Sequence, residues 1–98
     1  MAVSNDVIMH HKVGLHARPA AMFVKTAAGF SARITLENLT RGTQPMNAKS
    51  ILSLLSAGVK MDDHIRITAT GPDEAAAVAA LSELITSNFG ETGGGEQP

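Results

Sequence analysis

The chain has 98 residues and 44% hydrophobic content, which leaves room for one domain with a modest core. Its net charge of −1, with scattered Lys and Arg, three Phe and neither Tyr nor Trp, supplies no basic stripe and no base-stacking platform for nucleic acid. With no cysteine there is no disulfide framework or thiolate site. The absence of a basic start followed by an apolar run, and of any membrane-length apolar stretch, makes a cytoplasmic location and no membrane insertion the expectation.

From the N-terminus, Val7-Ile8-Met9 within residues 3–11 predicts a short strand, and the Gly14 region turns it into a helix. Spacing of Ala20, Phe23, Val24 and Ala27 predicts that helix over residues 17–28 with one buried face, closed by Gly29 and a hydrophobic contact from Phe30. Pro19 falls in its first turn, where a missing N–H costs no intrahelical bond. The N–H groups of Ala17 and Arg18 then remain available at the positive end of the helix dipole, and His16 stands at that threshold. A positive helix end favours the neutral imidazole, which is the nucleophilic form. Arg18 offers a permanently charged donor fork to any phosphoryl that His16 accepts. The same residues also fit a plain helix cap beside a solvated arginine.

Residues 32–39 hold Ile34, Leu36 and Leu39 between polar residues, predicting a strand with one buried face. Thr40-Arg41-Gly42-Thr43 is the expected turn, and Pro45 confines the return strand through Gln44 and Met46 to an edge or bulge. Ser50 to Ala57 predicts a short helix with Ser50 as N-cap and Gly58 at its end. Ile51, Leu52, Leu54 and Leu55 are apolar on more than one side of it, and the surplus predicts a docking patch. Residues 64–70 alternate with Ile65, Ile67 and Ala69 on one face. Gly71-Pro72-Asp73-Glu74 opens a last helix whose Ala75, Val78, Leu81 and Ile85 can cover the sheet.

The order βαββαβα predicts an α+β fold, an open-faced β-sandwich in which a four-stranded antiparallel sheet is covered on one face by three helices. The domain is expected over residues 1–91, with a flexible C-terminal tail over 92–98. His10, His11 and His64 do not make a metal site: on a strand His10 and His11 would point to opposite faces, and no further ligand spacing completes a set.

Two motifs in the same order, Gly14-Leu15-His16-Ala17-Arg18-Pro19-Ala20 and Asn47-Ala48-Lys49-Ser50-Ile51-Leu52, resemble those of the HPr family over nearly the whole chain. These are the small phosphocarriers of the bacterial phosphoenolpyruvate-dependent sugar phosphotransferase system. The resemblance implies a carrier without turnover or cofactor of its own and an expected monomer. His16 would accept a phosphoryl group on Nδ1 from phosphorylated Enzyme I and pass it to the IIA domains of sugar permeases, with any magnesium requirement belonging to Enzyme I. Arg18 and Pro19 match the residues that accompany the family's phosphorylated histidine, so Ala17 and Arg18 become the expected phosphate binders. Ser50 matches the serine that an HPr kinase/phosphorylase modifies in some bacterial groups, and Ile51, Leu52 and Leu55 match partner-contact positions.

Several residues depart from that pattern. Val13 replaces a polar residue that can steady the histidine in some members, and Ser53 replaces a glycine common in the regulatory helix. The stretch from Glu37 to Met46 is longer by a few residues, and the C-terminal extension removes a chain-end carboxylate from the neighbourhood of Arg18. Two other readings stay open: a phosphocarrier of the nitrogen-related relay, and a non-catalytic α+β regulatory domain in which His16 is only a cap.

Overall fold

The computed structural model describes residues 2–12 and 14–90, so Val13 and the expected tail over 92–98 lie outside the described residues. Strand β1 (Ala2–Ile8) leads to helix α1 (Ala17–Ala28), then strands β2 (Arg33–Asn38) and β3 (Met46–Asn47), helix α2 (Ile51–Ser56), strand β4 (His64–Thr70) and helix α3 (Glu74–Thr86), followed by a short 3₁₀ turn over Asn88–Gly90. The strands form one antiparallel sheet in the order β1-β4-β2-β3, the expected α+β open-faced sandwich.

Strand alternation divides the sheet. Val7, Ile34, Leu36, Ile65, Ile67 and Ala69 point inward to meet Ala20, Phe23 and Ala27 of α1, Leu54 of α2, and Ala77, Val78, Leu81 and Ile85 of α3. The opposite face is polar. There Ser4 Oγ and Thr68 Oγ1 share a 2.9 Å hydrogen bond, and Arg66 donates from both Nε and Nη2 to the Asp6 carboxylate at 2.8 and 3.0 Å. That hydrogen-bonded guanidinium holds the Asp6 carboxyl below its ordinary value.

Four details differ from the sequence expectation. The first strand stops at Ile8, because beyond it only isolated backbone bonds continue: Met9 N–H to the Asp63 carbonyl at 2.9 Å and Asp62 N–H to the Met9 carbonyl at 2.6 Å. His10 and His11 therefore lie in the connection and do not alternate across a strand. Leu39 is exposed and Asn38 takes the third inward position of β2. Gly29 ends α1 in the right-handed region at φ −76°, with N–H donation to the Thr26 carbonyl, so the glycine's left-handed freedom is not used there. On α3, Ala75 is exposed and Ala77 lies in the core in its place.

Asn38 can be buried because its amide is satisfied. Its Nδ2 donates to the Ala57 carbonyl at 3.1 Å and to Asp63 Oδ2 at 3.0 Å, and the same Asp63 oxygen accepts from Lys60 N–H at 3.0 Å and Arg41 Nε at 3.3 Å. Burial pushes the Asp63 carboxyl up, but the donors from Lys60, Asn38 and Arg41 together outweigh it and leave it below its ordinary value. A carboxyl lowered by folding stabilises the native state above its unfolded pKa and loses that contribution as pH falls through the folded value. The Asp63→Ala variant should therefore lose about 2–3 kcal/mol at pH 7, since Lys60 N–H and one Asn38 proton lose their acceptor. Urea unfolding at pH 7 and pH 3 checks this, because the gap to the parent should narrow below about pH 4. An equal gap at both pH values would contradict the assignment.

Candidate functional site: an imidazole at a helix threshold

The loop that carries His16 is tied to the segment between α2 and β4. Leu15 N–H donates to the Val59 carbonyl at 3.0 Å, Gly14 N–H donates to the His11 carbonyl at 3.0 Å, and the buried Leu15 side chain anchors the turn in the core. Gly14 has φ +73°, and its backbone lies directly against Val59 and Lys60. This leaves His16 at the N-cap of α1 with φ −99° and ψ −166°, the extended geometry an N-cap requires.

His16 occupies the cap position without capping. Its side chain makes no cap hydrogen bond, and its ring is exposed. The first intrahelical bond runs from Ala20 N–H to the His16 carbonyl at 2.8 Å, and Pro19 has no N–H to offer. Among the described residues the N–H groups of Ala17 and Arg18 make no backbone hydrogen bond, so they remain at the positive end of the helix. Arg18 is exposed, and no carboxylate among the described residues forms an ion pair with it. An anion attached to the imidazole would lie at a helix start with two backbone donors, two residues from an exposed guanidinium.

Helix α2 packs beside α1. Ser50 caps it: Ser50 Oγ accepts from Ser53 N–H at 3.3 Å, while Asn47 Oδ1 accepts from Lys49 N–H at 2.9 Å and shapes the approach. Leu54 is its only buried residue, whereas Leu52 is 76% exposed and Ile51 and Leu55 are near 36%. A six-residue helix that buries one leucine and shows three apolar side chains to solvent has more apolar surface than the core requires.

The structure adds a residue that the sequence reading set aside. His11 is 6% exposed, and its ring lies 5.8 Å from that of His16 by centroid, tilted by 46°. Phe89 also meets His11, edge to face at 5.6 Å. A second imidazole five residues before His16 is the signal in the sequence, and placing it on a strand face conceals it. His10 is exposed, and His64 lies on the open face of the sheet paired with Ile8. No cluster of three or more metal-ligating side chains exists among the described residues.

An open-faced α+β domain with an uncapped, solvent-facing imidazole at a helix start and an apolar knoll beside it has the make-up of a histidine phosphocarrier. Comparison with known proteins bears on this directly. The family model described as "PTS HPr component phosphorylation site" matches residues 3–87. A multiphosphoryl transfer protein of Vibrio cholerae is 44% identical over 78 residues, covering 80% of this chain and 20% of that protein. The crystal structure of HPr-C-His from Thermoanaerobacter tengcongensis superposes with a TM-score of 0.85 at 43% identity, covering 91% of this chain and 97% of the other. The phosphocarrier protein HPr from Bacillus anthracis gives 0.79 at 38% identity, covering 86% and 96%.

The chain belongs to the HPr family of the phosphotransferase system. Residues 3–87 form a phosphocarrier domain of that family. It spans roughly a fifth to a quarter of the length of the multiphosphoryl transfer proteins it matches. No helix among the described residues is long and apolar enough to cross a membrane.

Proposed function

We propose that His16 takes a phosphoryl group on Nδ1 from phosphorylated Enzyme I and delivers it to IIA domains of sugar permeases, acting as a monomer in the cytoplasm over a domain of residues 1–91. The observation that carries this reading is that His16 occupies an N-cap position yet leaves its imidazole exposed and uncommitted to the cap. In the transfer, a phosphorus–nitrogen bond forms as the donor's phosphorus–nitrogen bond breaks. Arg18 and the N–H groups of Ala17 and Arg18 hold the dianion without any metal on this chain.

The test is intact-mass spectrometry after incubation with Enzyme I, magnesium and phosphoenolpyruvate, followed by addition of a IIA domain. One acid-labile phosphoryl group that passes to the IIA domain supports the sugar relay. An adduct formed only with the nitrogen-related Enzyme I assigns the chain to that relay, and no adduct with either active donor overturns the reading.

The exposed apolar side chains of α2 supply the docking surface for both partners, with Ile51, Leu52 and Leu55 as contacts and Ser50 as the regulatory phosphosite of an HPr kinase/phosphorylase. Leu52→Glu and Ser50→Asp separate docking from folding. Leu52 is mostly exposed and Asp is as good an N-cap as Ser, so both variants should stay within about 0.5 kcal/mol of the parent. Each should raise the KM for phosphorylated Enzyme I by about five- to tenfold in steady-state transfer assays, because a new charge on an apolar contact must be desolvated. An unchanged KM for Leu52→Glu removes α2 from the interface, and an unchanged KM for Ser50→Asp removes the charge switch.

A further inference from the structure

From the ring contacts around His16 we infer that His11 is a positioning residue for the acceptor imidazole, an inference that rests on the phosphocarrier reading of His16. An exposed imidazole on two rotatable bonds samples several rotamers, and phosphoryl transfer gains most of its rate from orientation of the attacking nitrogen. His11 is buried, so its ring is itself fixed, and at 5.8 Å between centroids it lies within ordinary ring-packing range of His16.

The fold also packs a second ring against His11. Asn88 and Phe89 both adopt left-handed backbone at φ 58° and 57°, conformations that cost non-glycine residues about 1–2 kcal/mol each, and Asn88 Oδ1 is buried without a hydrogen-bond partner among the described residues. This unfavourable turn seats the buried Phe89 ring edge-on against His11 at 5.6 Å. The end of α3 is thereby linked through Phe89 and His11 to the acceptor, and the His11 ring forms a wall that restricts the swing of the His16 ring. The wall needs a planar side chain at position 11, and its effect is on the bound transfer step rather than on docking.

The experiment compares the whole chain with His11→Leu, which fills the space without a planar face, and His11→Phe, which keeps one. Thermal unfolding is measured on each, and phosphoryl acceptance from phosphorylated Enzyme I is followed at saturating donor. Wild-type acceptance at His16 is the reference, and its absence would overturn the carrier reading together with this one. His11→Leu should lower kcat about three- to tenfold with KM for Enzyme I changed less than about twofold, and His11→Phe should recover most of that loss. The ring-proton shifts of His16 in NMR spectra should move in His11→Leu and largely return in His11→Phe. If His11→Leu does not fold, Phe89→Leu replaces it, with a smaller kcat loss expected in the same direction. An unchanged kcat in the folded Leu variant, a loss in KM alone, or failure of phenylalanine to restore the rate would overturn the proposal.

Discussion

Replacing His16 by alanine should abolish phosphoryl acceptance while leaving stability within about 1 kcal/mol of the parent. The two effects separate because the His16 side chain makes no cap hydrogen bond to lose, and its ring is solvent-exposed. His16→Asn sharpens the test. The backbone at residue 16 already has N-cap geometry, and an asparagine oxygen there can accept from an N–H of the first turn, which stabilises a helix by about 0.5–1 kcal/mol over a residue that does not cap. On the proposed reading of His16 as the nucleophile, the asparagine variant should thus be more stable than the parent and inactive, the cap having been forgone to keep the imidazole exposed. Urea unfolding and intact-mass spectrometry check the two halves. An acid-labile adduct on either variant would move the acceptor to another residue.

The parts of the fold legible in the sequence were those with a regular period. Helix α1 over Ala17–Ala28 and strand β4 over His64–Thr70 fall where spacing and alternation put them, since each buries one continuous face. Ser50 as the cap of α2 was equally local. What could not be read depended on distant partners. Asn38 replaces Leu39 in the core because Asp63 and Ala57, 25 and 19 residues away, satisfy its amide. Ala77 rather than Ala75 faces inward on a helix so rich in alanine that several faces are apolar. At the site, His16 and Arg18 were visible from one short motif. The ring contacts beside His16 were not, because they join His11 to Phe89, 78 positions apart, through a turn in left-handed backbone.

Gly14→Ala should be the most damaging single-methyl change near the site, and the mechanism is close approach rather than conformational freedom alone. At φ +73° an alanine costs about 1 kcal/mol over glycine. Its Cβ would also run into the Val59 carbonyl oxygen and come within 2.8 Å of Lys60 Cα, both of them backbone, so no side chain can turn aside. Forcing the two segments apart breaks the 3.0 Å bond from Leu15 N–H to the Val59 carbonyl and costs about 1–3 kcal/mol more. The total of about 3 kcal/mol is a large share of a small domain's stability and lowers Tm by roughly 15 °C. Gly42 supplies the control, because it has nearly the same dihedral, φ +71°, with nothing within 4 Å of an added Cβ. Gly42→Ala should therefore cost only the conformational part, about 1 kcal/mol and roughly 5 °C. Because Leu15 and His16 are adjacent, Gly14→Ala held well below its Tm should also accept phosphoryl more slowly, and Gly42→Ala should not. Thermal melts of the two variants decide the matter: equal losses would mean that the contact between Gly14 and Val59 does not hold the loop that presents His16.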